Sequence, residues 1–179
     1  MCARHRFLKA AAAALALAAA LFVASPSLVA DNPHAVAGTW VTWASPAPGV
    51  QVPVLQTFSA DGYIVSSDVL MFGGLPGVAI RLTPMHGVWE RTGRNVMKTT
   101  NLAMVYDAAT NLLIGFVRSR ATGSFNEAGD VEGTVVPEFL GCGSPVQCPD
   151  PLSPAAAWGP VPGFPPSMTF TSRRLPLAE

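Results

Sequence analysis

Acid-base chemistry in this chain is concentrated in one short stretch: His86, whose imidazole titrates near neutrality, Glu90 four residues later, and Tyr106 beside Asp107. An imidazole and a carboxylate on one wall of a pocket would move a proton to and from a bound substrate, and the Tyr106-Asp107 pair would relay one at a strand end. Each has a plainer reading. A histidine beside Gly87 at the start of an extended segment bonds to backbone, and a Tyr-Asp pair at a strand end packs and caps a turn. Glu90 and Arg91 are adjacent, so a strand points them to opposite faces and keeps them out of one site. Arg118 and Arg120 share a face and have the geometry to hold a carboxylate, unless they are solvated strand-end charges.

Other chemistries fail on composition. Beyond residue 30 the histidines are His34 and His86, with no close His or Cys cluster, so neither a metal site nor a cofactor is expected. Gly73-Gly74-Leu75-Pro76-Gly77 lacks the glycine spacing and the Lys-Ser/Thr of a phosphate cradle, and no Gly-x-Ser-x-Gly elbow occurs.

Residues 1–9 carry Arg4, Arg6 and Lys9 and no acid, Ala10 to Ala24 is an unbroken apolar run, and Ser25-Pro26-Ser27 breaks any helix before Leu28-Val29-Ala30. That is the pattern of a secretory signal peptide over residues 1–30, and the run falls short of the roughly 20 apolar residues of a retained span. Export to the periplasm or the exterior is expected, with no membrane attachment after cleavage. Cleavage removes three of the eleven basic residues and leaves eight, scattered from Arg81 to Arg174, against eleven acids. No basic patch survives, which argues against nucleic acid. The remaining residues 31–179 make one domain, large enough to bury a core unaided. In an oxidising compartment its two cysteines, Cys142 and Cys148, are expected to pair.

The mature chain reads as strands joined by turns. Val36 to Trp43, Val52 to Ser59 and Tyr63 to Met71 are extended, with Pro46, Pro48 and Gly49 marking a loop at Ala44 to Val50 and Ala60-Asp61-Gly62 a tight hairpin. Val78 to Leu82 is a short strand or an inward-packed loop. His86 to Asp107 is a long hairpin turning at Gly93-Arg94. Leu112 to Ala121 follows, with Leu112, Ile114 and Phe116 on the face taken as apolar, then Val131 to Phe139 and finally Ser167 to Leu175. Between the last two, residues 141–166 are dense in proline and glycine, too poor in donors for sheet, and long enough to be a binding loop or lid. The expected fold is all-β: an antiparallel up-and-down barrel of about eight strands with a Pro-rich, disulfide-containing loop before the last strand.

Gly38-Thr39-Trp40 in the first strand and Arg173-Arg174 in the last resemble the calycin superfamily, which includes lipocalins. With Thr57-Phe58, Asp61-Gly62, His86 to Gly93 and Tyr106-Asp107 the ensemble looks like lipocalin-like bacterial proteins of unassigned function. The resemblance implies an eight-stranded barrel in which Trp40 packs under an arginine of the final strand, Arg174 by parity. It brings no activity.

The expected function is therefore non-catalytic binding of a small hydrophobic ligand, with Met71, Met97, Met104, Trp158 and Phe164 as soft apolar lining candidates. The alternatives are a small barrel enzyme, an isomerase or cyclase of the allene oxide cyclase type that works by orienting its substrate, and a cell-envelope interaction module.

Overall fold

A computed structural model of the protein describes residues 36–72 and 78–176. The signal peptide expected over residues 1–30, the polar stretch that follows it and the loop expected at residues 73–77 lie outside the described residues. Ten strands follow in order: β1 (Gly38–Ala47), β2 (Val50–Phe58), β3 (Tyr63–Asp68), β4 (Ile80–Leu82), β5 (Met85–Arg91), β6 (Val96–Asp107), β7 (Leu113–Phe125), β8 (Val131–Gly141), β9 (Gly159–Pro160) and β10 (Met168–Arg174). A 3-10 turn, Val69–Phe72, leaves the end of β3. Among the described residues no helix is long and apolar enough to cross a membrane.

Eight of these strands close into an antiparallel barrel. The path β1-β2-β3-β5-β6-β7-β8 returns to its start because β10 pairs with β1, through six residue pairs from Trp40↔Arg174 to Ser45↔Thr169, and with β8, through five from Met168↔Val135 to Ser172↔Val131. Closure leaves no edge along most of the ring.

The irregular places have local causes. The loop expected at Ala44 to Val50 is a bulged strand end instead: β1 continues to Ala47, its register against β2 shifts between Ala44 and Ala47, and the reversal is confined to Pro48-Gly49, with Gly49 at φ 78°. β4 and β5 are one run against β6, interrupted at Thr83-Pro84 where proline cannot donate. There the Thr83 hydroxyl accepts the Met104 N–H at 3.1 Å while Thr83 N–H donates to the Met104 carbonyl. On β7 a shift beside Tyr106 leaves Ile114 unpaired and reverses the parity beyond it. Ile114 packs toward the core, but Val117, Ser119 and Ala121 face inward and Phe116, Arg118 and Arg120 outward, which corrects the apolar face read from the sequence.

Two apolar clusters fill the ends of the barrel. At one, Trp40, Phe58, Trp89 and Phe125 meet edge to face, with centroids 6.0 to 6.3 Å apart, and the buried indoles donate to the Val36 and Ser59 carbonyls at 2.9 Å each. Arg174 lies opposite Trp40 across the β1-β10 ladder, and its guanidinium rests against Gly38 and donates to the Ala37 carbonyl. The guanidinium within the aromatic group belongs to Arg91, 5.4 Å from the Phe125 centroid. At the other end Leu70, Leu82, Met85, Val105 and Val117 pack with Val161 from the Pro-rich segment.

Strand spacing at the β7-β8 contact depends on glycine. A Cβ on Gly133 would lie 2.1 Å from the Thr122 carbonyl oxygen and 2.7 Å from Gly123 Cα, both backbone atoms that cannot give way. Gly133→Ala is expected to cost about 1–3 kcal/mol or more by overpacking, read as a lower urea midpoint with an unchanged m-value.

Candidate functional site

Between the two end clusters the barrel is not filled. Inward residues of the strands enclose a cavity of about 150 Å3. Its waist is built from short side chains, Ala44, Ser66, Ser119, Ala121, Gly123 and Ser172, none of which reaches the axis.

The polar groups of the waist fall on two opposed walls. Across β10, β1, β2 and β3 runs a hydrogen-bonded chain: Ser172 Oγ to Thr42 Oγ1 at 2.7 Å, Thr42 Oγ1 to Gln56 Oε1 at 2.7 Å, and Gln56 Nε2 to Ser66 Oγ at 3.2 Å. Thr42 has one hydroxyl proton and gives it to Gln56, so Ser172 donates to Thr42. Each of these four side chains finds a partner within the wall. Opposite Thr42 of β1 in the eight-strand ring, Asn101 on β6 is 3% exposed and its Oδ1 accepts from no donor. Such an orphan costs about 1–3 kcal/mol while nothing meets it. The absence of a side chain at Gly87 makes room for it, since a Cβ there would lie 2.6 Å from Asn101 Oδ1.

Asp68, at the end of β3, is the one titratable residue of the cavity wall among the described residues. Burial raises its carboxyl above the ordinary range, against the opposing pull of the Leu70 and Met71 backbone N–H groups, the first of which donates at 2.8 Å. Among the described residues no basic side chain pairs with it.

One end of the cavity is covered by the Pro-rich segment. The Cys142–Cys148 disulfide, with Cα atoms 4.3 Å apart, closes a small loop at its root, and such a bond points to a non-reducing compartment. The segment then returns as β9, pairing with Glu138 and Phe139 of β8 where β10 has ended, and inserts Val161 and Phe164 into the cavity wall. Outside the barrel Trp158 lies under the Arg118 guanidinium, 4.3 Å from centroid to carbon. Arg118 and Arg120 both hold Glu138, at 2.9 Å, Arg120 through two nitrogens. The carboxylate these arginines bind is therefore the chain's own.

The residues singled out from the sequence divide accordingly. Met97 and Phe164 line the cavity. Met71 does not; its neighbour Leu70 does. Met104 is 40% exposed on the outer face, where the Tyr106 hydroxyl donates to its sulfur at 3.7 Å, and Trp158 is outside on Arg118. His86 and Glu90 are exposed on the outer face of β5, opposite Leu102 and Lys98, so His86, Glu90 and Tyr106 neither meet one another nor reach the cavity. Asp107 caps its turn, accepting from Ala109 N, Thr110 N and Thr110 Oγ1. Asp68, Asn101 and the hydroxyl chain were not singled out. Strand parity was the signal for them: Ile64, Ser66 and Asp68 share a face, as do Met97, Thr99, Asn101 and Ala103.

Burial would raise the Glu138 carboxyl, but hydrogen bonds and charge from Arg118 and Arg120 outweigh it and hold it below the usual carboxylate range. Its contribution to stability is thus complete above the unfolded carboxylate pKa and is lost as pH falls through the lower folded value. Glu138→Gln is expected to cost about 1 kcal/mol at neutral pH, the upper end for partly exposed pairs, with the difference from wild type closing in acid; urea melts across pH check it. Comparison with protein-family models, with curated proteins and with solved structures finds no match to this chain.

Proposed function

We propose that the protein is an exported, non-catalytic binding module of calycin-like build that takes a small, predominantly apolar ligand into its barrel. The observation that carries this reading is the unfilled waist. A folded interior is ordinarily packed as tightly as an organic crystal, yet here short side chains leave about 150 Å3 between two well-packed ends. An apolar cavity of that size is known to stay dry and to accept a molecule such as benzene. Binding is favoured over catalysis because His86, Glu90 and Tyr106 are all on the outer side of the wall. The closed ring, Trp40 buried beneath it and Arg174 opposite Trp40 support the calycin-like reading. The disulfide supports export, and the leader over residues 1–30 names the route.

Two measurements test the reading. Benzene at ten times its dissociation constant is expected to raise the stability of the wild-type protein by about 1.4 kcal/mol, with perturbed NMR signals at Met97 and Ala121. Ala121→Leu, which fills the waist, is expected to fold and to abolish the effect. A wild-type interior that takes up no apolar probe would defeat the proposal. For export, expression of the whole sequence in a bacterial host is expected to release a protein whose intact mass begins at Asp31 and includes the oxidised cysteines; retention of the leader would count against it.

A further inference from the structure

Resting on the binding role proposed above, the geometry points to the class of ligand: a compact apolar amine whose protonated nitrogen pairs with Asp68.

The argument is an inventory of what the wall leaves over. The chain from Ser172 to Ser66 uses its own protons and acceptors. The Thr99 and Ser119 hydroxyls on the wall are neutral, Asn101 Oδ1 is turned against Gly87 and offers no surface to the cavity, and the Asp68 carboxyl, an anion when ionised, is the group left without a counter-charge. No arginine, lysine or histidine lines the cavity, and among the described residues Asp68 has no ion-pair partner. A carboxylate in a largely apolar enclosure without a counter-charge is expensive, and a cation arriving with the ligand supplies both charge and N–H. An apolar acid would instead place two anions in one low-dielectric space. A plain hydrocarbon would leave Asp68 without its counter-charge. About five water molecules fit at liquid density, but water leaves Asp68 in the same state.

The register sets the room available. Asp68 is four residues along β3 from Ile64 of the packed end, roughly 13 Å along the strand toward Val161 and Phe164, which leaves space for about one ring and a short tether between its carboxyl and that end. A compact arylalkylamine has those dimensions.

The test uses four compounds of one shape on the disulfide-intact mature chain, by calorimetry: ethylbenzene, 3-phenylpropionate, phenethylamine and tyramine. In the wild-type protein phenethylamine is expected to bind at least about tenfold more tightly than ethylbenzene and 3-phenylpropionate, the scale of one charge-assisted hydrogen bond. Tyramine, whose hydroxyl meets no open acceptor at the packed end, is expected to bind no more tightly than phenethylamine. Asp68→Asn should erase the amine preference while leaving ethylbenzene bound. The wild-type series decides the matter even if a variant fails to fold. Equal or tighter binding of 3-phenylpropionate, or an amine preference untouched by Asp68→Asn, overturns the assignment. Ethylbenzene binding without any amine preference overturns the amine and leaves the binding role standing, whereas no binding of any probe overturns both.

Discussion

The double engagement of β10, with β1 on one side and β8 on the other, makes a ring of what would otherwise be a curled sheet. Once eight strands are closed, the circumference is set, and with it a volume that side chains either fill or leave open. Here the choice is made level by level. Trp40, Phe58, Trp89 and Met97 fill one end and Leu70, Leu82, Met85 and Val105 the other. At the waist the inward positions carry alanine, glycine, serine and threonine, so the same circumference that is packed above and below is hollow between. The cavity follows from residue size at a few inward positions, not from any distortion of the barrel.

The polar residues of the waist are arranged unequally, and the inequality matters more than their number. Four of them on consecutive strands of the ring form a chain that needs nothing further, which keeps that wall rigid and chemically quiet. Asn101 Oδ1, on the opposite side, is without a donor but turned against Gly87, and Asp68, toward the mouth, is left without a counter-charge. A uniformly satisfied belt would accept any guest of the right size. One with an unpaired carboxyl near its mouth gives a guest a preferred orientation.

Architecture was legible in the sequence because its signals are local. Asp61-Gly62 sits at its turn with Gly62 at φ 88°, the hairpin from His86 to Asp107 has the register its alternation implies, and the break in composition after Gly141 marks where the regular ladder gives way to the Pro-rich segment. Parity failed where one residue slipped. The unpaired Ile114 inverts the face of β7, and no turn residue announces it. The lining was half legible for a related reason. Chemical softness drew attention to Met104 and Trp158, but softness does not say which side of a strand a residue takes, and both are outside. Asn101 and Asp68 were visible to parity alone, and a lone polar residue on an inward face gains meaning only once the space beside it is known to be empty.

The Pro-rich segment belongs to both surfaces of the barrel at once. Within seven residues it places Trp158 against Arg118 on the outside and Val161 and Phe164 in the wall of the cavity. What fastens it is modest: two ladder pairs at Gly159 and Pro160, one stacked guanidinium, and the apolar contacts of two inserted side chains, with the disulfide restraining only its root. The barrel strands beneath are held by ladders of up to eleven pairs, as between β7 and β8. Local stability scales with such contacts, so the segment opens at a free energy well below that of the barrel. Arg118 then ties the two regimes together, since the same side chain is held by Glu138 and covers Trp158. The ion pair on the outer wall is thereby connected to the segment that covers the cavity, although none of its atoms lines the cavity.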